Sequence, residues 1–397
     1  MSFNIYKPIR LIELFAGIGS QAKAMKNLGL NFEHWRVCEF DSHAIRSYNA
    51  VHDTNFTTSD ITKINASDLN IVETDKYNYV LTYSFPCQDL SNAGKGRGME
   101  KGSGTRSGLL WEVERLLNEC KELPQVLLME NVPQVHGKKN IEHFEKWIAY
   151  LESKGYSNYW QDLNAKDYGM PQNRNRCYMV SILGEYSYRF PKTIPLTLKL
   201  GDMLEKEVDE KYYLSEKKLN TINKWNCLER PLEKVYGKNS IARTLTTRSG
   251  AECGSLATYC EQFEETTNIV PLIEPFDVKE MIKENNKNAK HQQDLLQHHE
   301  DICRCIPAGT HGSTPHLTKT VVSENPLRIR KLTPTECWRL MGFDDVDVEK
   351  AALICSNTQL YKQAGNSIVV NVLMAIFKEL FIPTKNRSQW LDELLNN

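Results

Sequence analysis

Leu11-Ile12-Glu13-Leu14-Phe15-Ala16-Gly17-Ile18-Gly19-Ser20-Gln21-Ala22 reads as a buried strand, a glycine turn and the start of a helix. Glycine has no Cβ and tolerates positive φ, so such a turn lets backbone approach a nucleotide closely. Gly17, Gly19 and Ala22 meet the spacing of a dinucleotide-binding turn. Glu39 follows about 20 residues later, at the end of the next strand-like run, where a carboxylate can hold ribose hydroxyls. Asp60, followed by Ile61, is read as ending a further weak strand and can accept from an adenine amino group. These residues say nucleotide without saying which, and a nicotinamide-dependent enzyme competes at this point.

Outward from the turn, β-like runs alternate with amphipathic stretches. Strands are expected near Arg10–Leu14, Phe32–Glu39, Tyr79–Ser84, Val126–Glu130 and Arg176–Leu183. Gln21–Leu28, Ser42–Val51, Leu109–Cys120 and Ile141–Lys154 carry apolar residues at helical spacing. That pattern is a doubly wound α/β fold, a Rossmann-like sheet covered by helices. From residue 184 the alternation stops, and the sequence to residue 325 is polar and irregular, which marks a separate, smaller module. Thr333-Pro334-Thr335-Glu336 restores a helix start, and a last helix is expected from near Ser367 through Ile376. The expected domains are 1–183, 184–325 and a return segment, 326–397.

With 397 residues, 41% hydrophobic and 25% charged, the chain has ample material for a large core. A run of about 18 apolar residues that would span a bilayer is missing, the first residues lack a secretory pattern, and a cytoplasmic location is expected. Eleven cysteines, odd in number and mostly isolated, do not form a disulfide framework. Cys303-Arg304-Cys305 is too tight for the usual zinc spacing, so no metal is expected. A net charge of −1 neither demands nor excludes nucleic acid, because binding depends on local charge, and basic residues do recur beside the motifs below.

Ser84-Phe85-Pro86-Cys87-Gln88 places a thiol directly after a strand, with proline fixing the backbone before it and a glycine-rich loop after it. That setting suits a nucleophile, although a lone Pro-Cys pair more often holds a small apolar residue that happens to be cysteine. The strand Val126–Met129 delivers Glu130-Asn131-Val132-Pro133 to the same C-terminal edge, where open α/β sheets bind ligands. An acid after one strand and a thiol after its neighbour can face one substrate. Gln172-Asn173-Arg174-Asn175-Arg176 adds two arginines that can hold a phosphate, brace the acid or form surface ion pairs.

Together these residues resemble a bacterial-type DNA (cytosine-5)-methyltransferase. The matching stretches are Phe15-Ala16-Gly17-Ile18-Gly19, Ser84 to Gln88, Glu130-Asn131-Val132, Gln172 with Arg174 and Arg176, Arg330 to Cys337 with Arg339 and Gly342-Phe343, and Gln363-Ala364-Gly365-Asn366-Ser367-Ile368. They occur in the family's order and reach both ends of the chain. One departure is Ser20, where many members carry another glycine.

The resemblance implies S-adenosylmethionine as cofactor, held by Phe15, Gly17, Ile18, Gly19, Glu39, Phe40, Asp60, Ile61, Pro86, Leu109, Asn366 and Ser367. It implies Cys87 as nucleophile on C6 of a flipped cytosine and Glu130 as the acid at N3, with Arg174 and Arg176 supporting base, phosphate or site geometry. The loop Asp89–Thr105 is then a lid, with Ser91, Lys95 and Arg97 on DNA. Ala242-Arg243-Thr244-Leu245-Thr246-Thr247-Arg248 resembles the Thr-Leu element of the target-recognition module, so Arg243, Thr244, Thr246 and Arg248 are expected against DNA. Double-stranded DNA is the implied partner, with a cognate restriction endonuclease, or a solitary or phage-borne setting, as context; a monomer suffices. The competing readings are a transfer RNA cytosine-5 methyltransferase and a catalytically silent DNA-binding regulator.

Overall fold

The structure is a computed structural model, which describes residues 7–87, 89–90, 98–215, 235–236, 238–245, 259–262 and 328–382. The chain divides into two compact units. One comprises Met1–Tyr212, Lys234–Cys260 and Lys331–Asn397; the other comprises Tyr213–Glu233 and Glu261–Arg330. Most of the second unit lies outside the described residues.

The first unit is built on a six-stranded sheet in the order β2-β1-β3-β4-β7-β5. Its strands are β1 (Ile9–Leu14), β2 (Phe32–Cys38), β3 (Asn78–Tyr83), β4 (Val126–Asn131), β5 (Tyr156–Asn164) and β7 (Asn175–Leu183); the two-residue β6 (Gln172–Asn173) lies outside this sheet. Every residue of β1, β3 and β4 is buried. Near-continuous apolar runs are what parallel strands need when helices cover both faces. β1 runs parallel to β2 and β3, and β3 to β4. β7 runs antiparallel to both β4 and β5. Its reversed direction puts the beginning of β7, where Arg174 and Arg176 lie, at the same edge as the ends of β1, β3 and β4.

Helix α1 (Ser20–Asn27) follows the glycine turn, and α2 (Ser42–His52) starts where the Asp41 side chain accepts from the His43 amide. After the one-turn α3 (Ala66–Leu69), α4 (Leu110–Glu119) buries Leu110, Val113, Leu116 and Leu117, and α5 (Ile141–Ser153) buries Phe144, Trp147 and Leu151. The i, i+3, i+4 spacing of these residues makes one apolar stripe per helix.

The weak strand expected before Asp60 does not form. Residues 53–65 are irregular, and their backbone is satisfied by the Asn49 side chain, which accepts from Phe56 N and donates to Phe56 O, and by the Ser59 amide donating to Glu39 O. β5 is a strand the alternation did not announce. It is an edge strand whose sequence, with Ser157, Asn158, Gln161 and Asp162, is largely polar.

The return segment adds α6 (Pro334–Arg339), α7 (Asp345–Ala352), α8 (Asn357–Asn366) and α9 (Val370–Phe381). Thr333 and Glu336 form the reciprocal capping box expected from their spacing. α9 packs on α1 and buries Val372, Leu373, Ile376 and Phe377. Asn357–Phe381 has the length and apolarity of a membrane span, yet 67% of its apolar window is buried inside the fold, as in a core helix. Lys23 of α1, 5% exposed, is neutralised by Asp347 at 2.7 Å and by Asp344. Buried charge survives only when paired in this way.

Candidate active site

The ends of β1, β2, β3 and β4, the start of β7 and the end of α8 enclose a cavity of about 820 Å³. Phe15, Gly17, Ile18, Glu39, Phe40, Asp60, Ile61, Pro86, Leu109, Asn366 and Ser367 line it, and so do Cys87, Glu130, Arg174 and Arg176. Gly19 does not. Its φ of +79° still requires glycine, but a Cβ there would lie 2.6 Å from the Tyr48 ring, so it serves the packing of the turn on α2.

The half of the cavity at the turn is shaped for a nucleoside. Phe15 holds a φ of 58°, a left-handed conformation that costs a bulky residue on the order of 1–2 kcal/mol and persists only where the surroundings impose it. Gly17 has φ +59°, and a Cβ on it would meet nothing within 4 Å: the glycine keeps that space clear beside the cavity. The Gly17 amide donates to Glu39 Oε2 at 2.8 Å and the Asp41 amide to Oε1 at 2.7 Å, which fixes the carboxylate. Burial pushes the Glu39 carboxyl up, against these amides. Phe40 is 77% exposed, an unusual position for phenylalanine unless something stacks on it. Asp60 accepts from the Thr62 amide and hydroxyl, which hold it below the usual carboxylate range. An open aromatic face, a fixed carboxylate and a bare backbone turn fit the S-adenosylmethionine that the motifs imply.

The other half gathers a thiol, an acid and two guanidinium groups. β3 ends at Tyr83 and β4 at Asn131, in parallel register, so the segments after them reach one space. Asn131 Nδ2 donates to Phe85 O at 2.9 Å, and its Oδ1 accepts from the Val132 amide. The Ser107 hydroxyl donates to Pro86 O at 2.7 Å. Both carbonyls beside the Pro86-Cys87 bend are thereby held. Glu130 is 8% exposed and its Oε1 lies 3.2 Å from Arg176 Nε. Arg174, 4% exposed, donates to Leu245 O at 2.9 Å, Gly365 O at 3.1 Å and Ser367 O at 2.7 Å. Its guanidinium joins the return segment to the Thr-Leu element.

Burial pushes the Cys87 thiol up and Glu130 adds to it, while Arg176 and Arg174 pull it back. Burial also raises the Glu130 carboxyl, again opposed by Arg176 and Arg174. Arg174 itself is brought down to about 9, by burial first and by its neighbour Arg176. Burial favours the protonated form of both groups, and the two cations oppose it, favouring the thiolate and the carboxylate.

Gln172, fully buried, donates to Leu340 O at 2.8 Å and accepts from the Leu245 amide at 3.2 Å. β6 pairs in parallel with Ala242–Arg243, and the Thr244 hydroxyl donates to Asn173 O at 2.6 Å. Thr244 is thus anchored beside the glutamine-arginine motif and does not line the cavity. Ser91, Lys95, Arg97, Thr246 and Arg248 lie outside the described residues, as does the side chain of Arg243.

Some residues of the site went unassigned in the sequence. Asp41 Oδ2 takes Lys362 Nζ at 2.6 Å, Gln363 Nε2 donates to His43 O at 3.1 Å, and the Ser47 hydroxyl donates to Gln363 Oε1 at 3.1 Å. These bonds seat α8 on α2 at the cavity's rim. Gln363 stood in a recognised motif, but nothing in the chain pairs Lys362 with a residue 321 positions earlier.

The C-5 cytosine-specific DNA methylase family matches residues 9–382. A type II methyltransferase of Lactococcus lactis subsp. cremoris, M2.ScrFI, is 31% identical over 94% of this chain and 99% of its own length. The orphan methyltransferase M.SPBetaI of Bacillus phage SPbeta is 28% identical over 94% and 97%. Among solved structures, the Dnmt2 methyltransferase of S. pombe superposes with a TM-score of 0.63 at 19% identity, over 94% of this chain and 98% of that one, which is a likeness of fold. The chain therefore belongs to the C-5 cytosine-specific DNA methylase family and is a DNA cytosine-5 methyltransferase that uses S-adenosylmethionine as methyl donor.

Proposed function

We propose that Cys87 is the nucleophile and Glu130 the general acid of a covalent methyl transfer to a cytosine turned out of duplex DNA. The observation that carries this reading is the convergence of Cys87, Glu130 and Arg176 on one cavity, with Arg176 Nε 3.2 Å from Glu130 Oε1. The Cys87 thiol gives up its proton and its sulfur adds to C6. Glu130 in its acid form hydrogen-bonds N3 and stabilises the electron pair pushed into the ring. S-adenosylmethionine supplies an electrophilic methyl group, which C5 accepts. Loss of the C5 proton then expels Cys87 and restores the aromatic base.

Arg176 orients Glu130 and offsets the charge that develops beside it. Arg174, spent on three carbonyls, holds the geometry of the site. A stacked cytosine exposes neither face of its ring, so it leaves the helix at a cost of a few kcal/mol. The loop 89–105 is the natural lid over the flipped base; in the 184–325 module Thr244 and Thr246 abut the DNA backbone near that base, and Arg243 and Arg248 contact phosphate or a guanine edge.

Duplex DNA is preferred over transfer RNA as substrate because added surface is needed for groove readout, and because the matching family is that of C-5 cytosine-specific DNA methylases. We read the protein as a monomer acting in the cytoplasm, paired with a restriction endonuclease or standing alone. The test is base-resolution cytosine-methylation sequencing of DNA from cells, otherwise free of such methylation, that express wild type or Cys87→Ala. Methylcytosine in one short motif, lost with Cys87→Ala, supports the proposal; persisting methylation in the variant refutes the nucleophile.

A further inference from the structure

His136, Asp162 and Cys177 come from three different elements and meet at the catalytic edge of the sheet. His136 ends the short turn after β4, and Asp162 and Cys177 are register partners across the antiparallel pair β5 and β7. Directly opposed residues send their side chains to the same face. His136 Nε2 lies 2.9 Å from Asp162 Oδ1, and the donor atoms of all three residues fall within 4.8 Å of one another.

We propose that these three side chains bind a divalent cation of the zinc class. The donor set of imidazole nitrogen, carboxylate oxygen and thiolate sulfur is one that borderline-soft ions select. In a tetrahedral site, with bonds of about 2.0–2.3 Å, donor atoms stand about 3.3–3.8 Å apart, so these groups need to shift by about 1 Å. Cys177 is fully buried, whereas the side chains of His136 and Asp162 are 23% and 30% exposed. The thiol is therefore the inner ligand, the other two face water, and the fourth position stays open. The Trp160 ring, 4.8 Å from that of His136, walls one side.

On binding, the Cys177 thiol proton leaves to solvent and the imidazole keeps its single proton on the nitrogen that does not ligate. The ion clamps the turn after β4 to β5 and β7. Cys177 adjoins Arg176 in sequence and is the register partner of Asn131, so the clamp stiffens the backbone that carries Arg176 and Glu130. The alternative is a hydrogen-bonded cluster without an ion, in which Asp162 bonds both His136 and the Cys177 thiol.

The deciding experiment titrates the full chain with Co²⁺, in a Cys87→Ser background that removes the cavity thiol, and follows absorption. It does not depend on methyl transfer, so its outcome is separate from the reading of the active site. The expected result is a near-ultraviolet thiolate-to-cobalt band that saturates at one equivalent and is displaced by Zn²⁺. Adding His136→Gln or Cys177→Ser should weaken binding at least tenfold. Zn²⁺ should raise Tm in the background protein but not with His136→Gln, a partly exposed position where the fold tolerates the change. Absence of the band, or a band that survives in both variants and so arises from other cysteines, overturns the proposal.

Discussion

The side-chain amide of Asn131 donates to the Phe85 carbonyl across 2.9 Å and so ties the bend that carries Cys87 to the strand end that carries Glu130. Asn131 is 2% exposed, and its oxygen also takes the Val132 amide. Asn131→Ala would leave two buried backbone groups without partners, at about 1–3 kcal/mol each. The expected outcome is a protein that folds with a lowered Tm and binds S-adenosylmethionine nearly as before, while kcat falls at least tenfold because thiol and acid lose their mutual register. Isothermal binding beside steady-state kinetics checks the split.

Arg174 and Arg176 should fail differently. Arg174 holds Gly365 and Ser367, which line the cavity, as well as Leu245. Arg174→Lys keeps the charge but cannot reproduce a planar fork to three carbonyls, so it should lower both stability and cofactor affinity. Arg176→Lys or Arg176→Ala should leave cofactor affinity within about threefold, since its described ion pair is with Glu130, and should act on kcat. Loss of cofactor binding in the Arg176 variants would reverse these assignments.

The two arginines also set a pH profile. Methyl transfer as proposed needs Cys87 without its proton and Glu130 with one, so kcat/KM should rise with pH on the thiol and fall on the acid. Arg176 pulls both groups down against burial. Its removal should therefore shift both limbs of the bell to higher pH, alongside the lower maximum. A pH–rate series on wild type and the neutral variant Arg176→Ala measures this; limbs that stay in place would separate Arg176 from the ionisations.

Most of the sheet was legible because β1, β3 and β4 are buried along their length and are largely apolar. β5 escaped because it lies at the edge of the sheet among the described residues and its residues are mixed. The false strand before Asp60 shows the converse: a short β-like sequence whose backbone is satisfied locally by Asn49 does not join a sheet. At the site, Cys87, Glu130 and the arginines could be picked out because their chemistry is distinctive. The contacts that place them, such as Lys362 on Asp41 or Arg174 on Ser367, span hundreds of residues and carry no local signal.

Glu13, the next-to-last residue of β1 and 1% exposed, predicts a stability effect with a defined sign. Burial pushes its carboxyl up to about 7, although the Tyr48 hydroxyl donates to it at 2.5 Å. A carboxyl whose folded value is raised above its unfolded one favours the fold most below the unfolded value, and that contribution is lost as pH climbs through 7. The difference from the ordinary 4.5 corresponds to something on the order of 3 kcal/mol. Relative to Glu13→Gln, the wild type should therefore lose stability between pH 5 and pH 8, as read from denaturant midpoints at each pH. Parallel profiles would mean that the carboxyl is not buried in a raised state.

The two glycines of the turn, equivalent in the sequence, should part company on substitution. Both have positive φ, so alanine costs each about 1–2 kcal/mol of backbone strain. A Cβ at Gly19 must also displace His52, whose Nε2 lies 3.0 Å from Ile18 O, and the Tyr48 ring, which hydrogen-bonds Glu13. A Cβ at Gly17 meets no protein atom and occupies the space beside the Glu39 carboxylate and the cavity. Gly19→Ala should thus lose several kcal/mol of stability, by overpacking added to strain. Gly17→Ala should lose little beyond the strain yet bind S-adenosylmethionine at least tenfold more weakly. Thermal melts with and without cofactor separate the two: the cofactor-induced rise in Tm should shrink in Gly17→Ala, and the baseline Tm should drop in Gly19→Ala. A full cofactor-induced rise in Gly17→Ala would mean that the bare turn is not where the nucleoside lies.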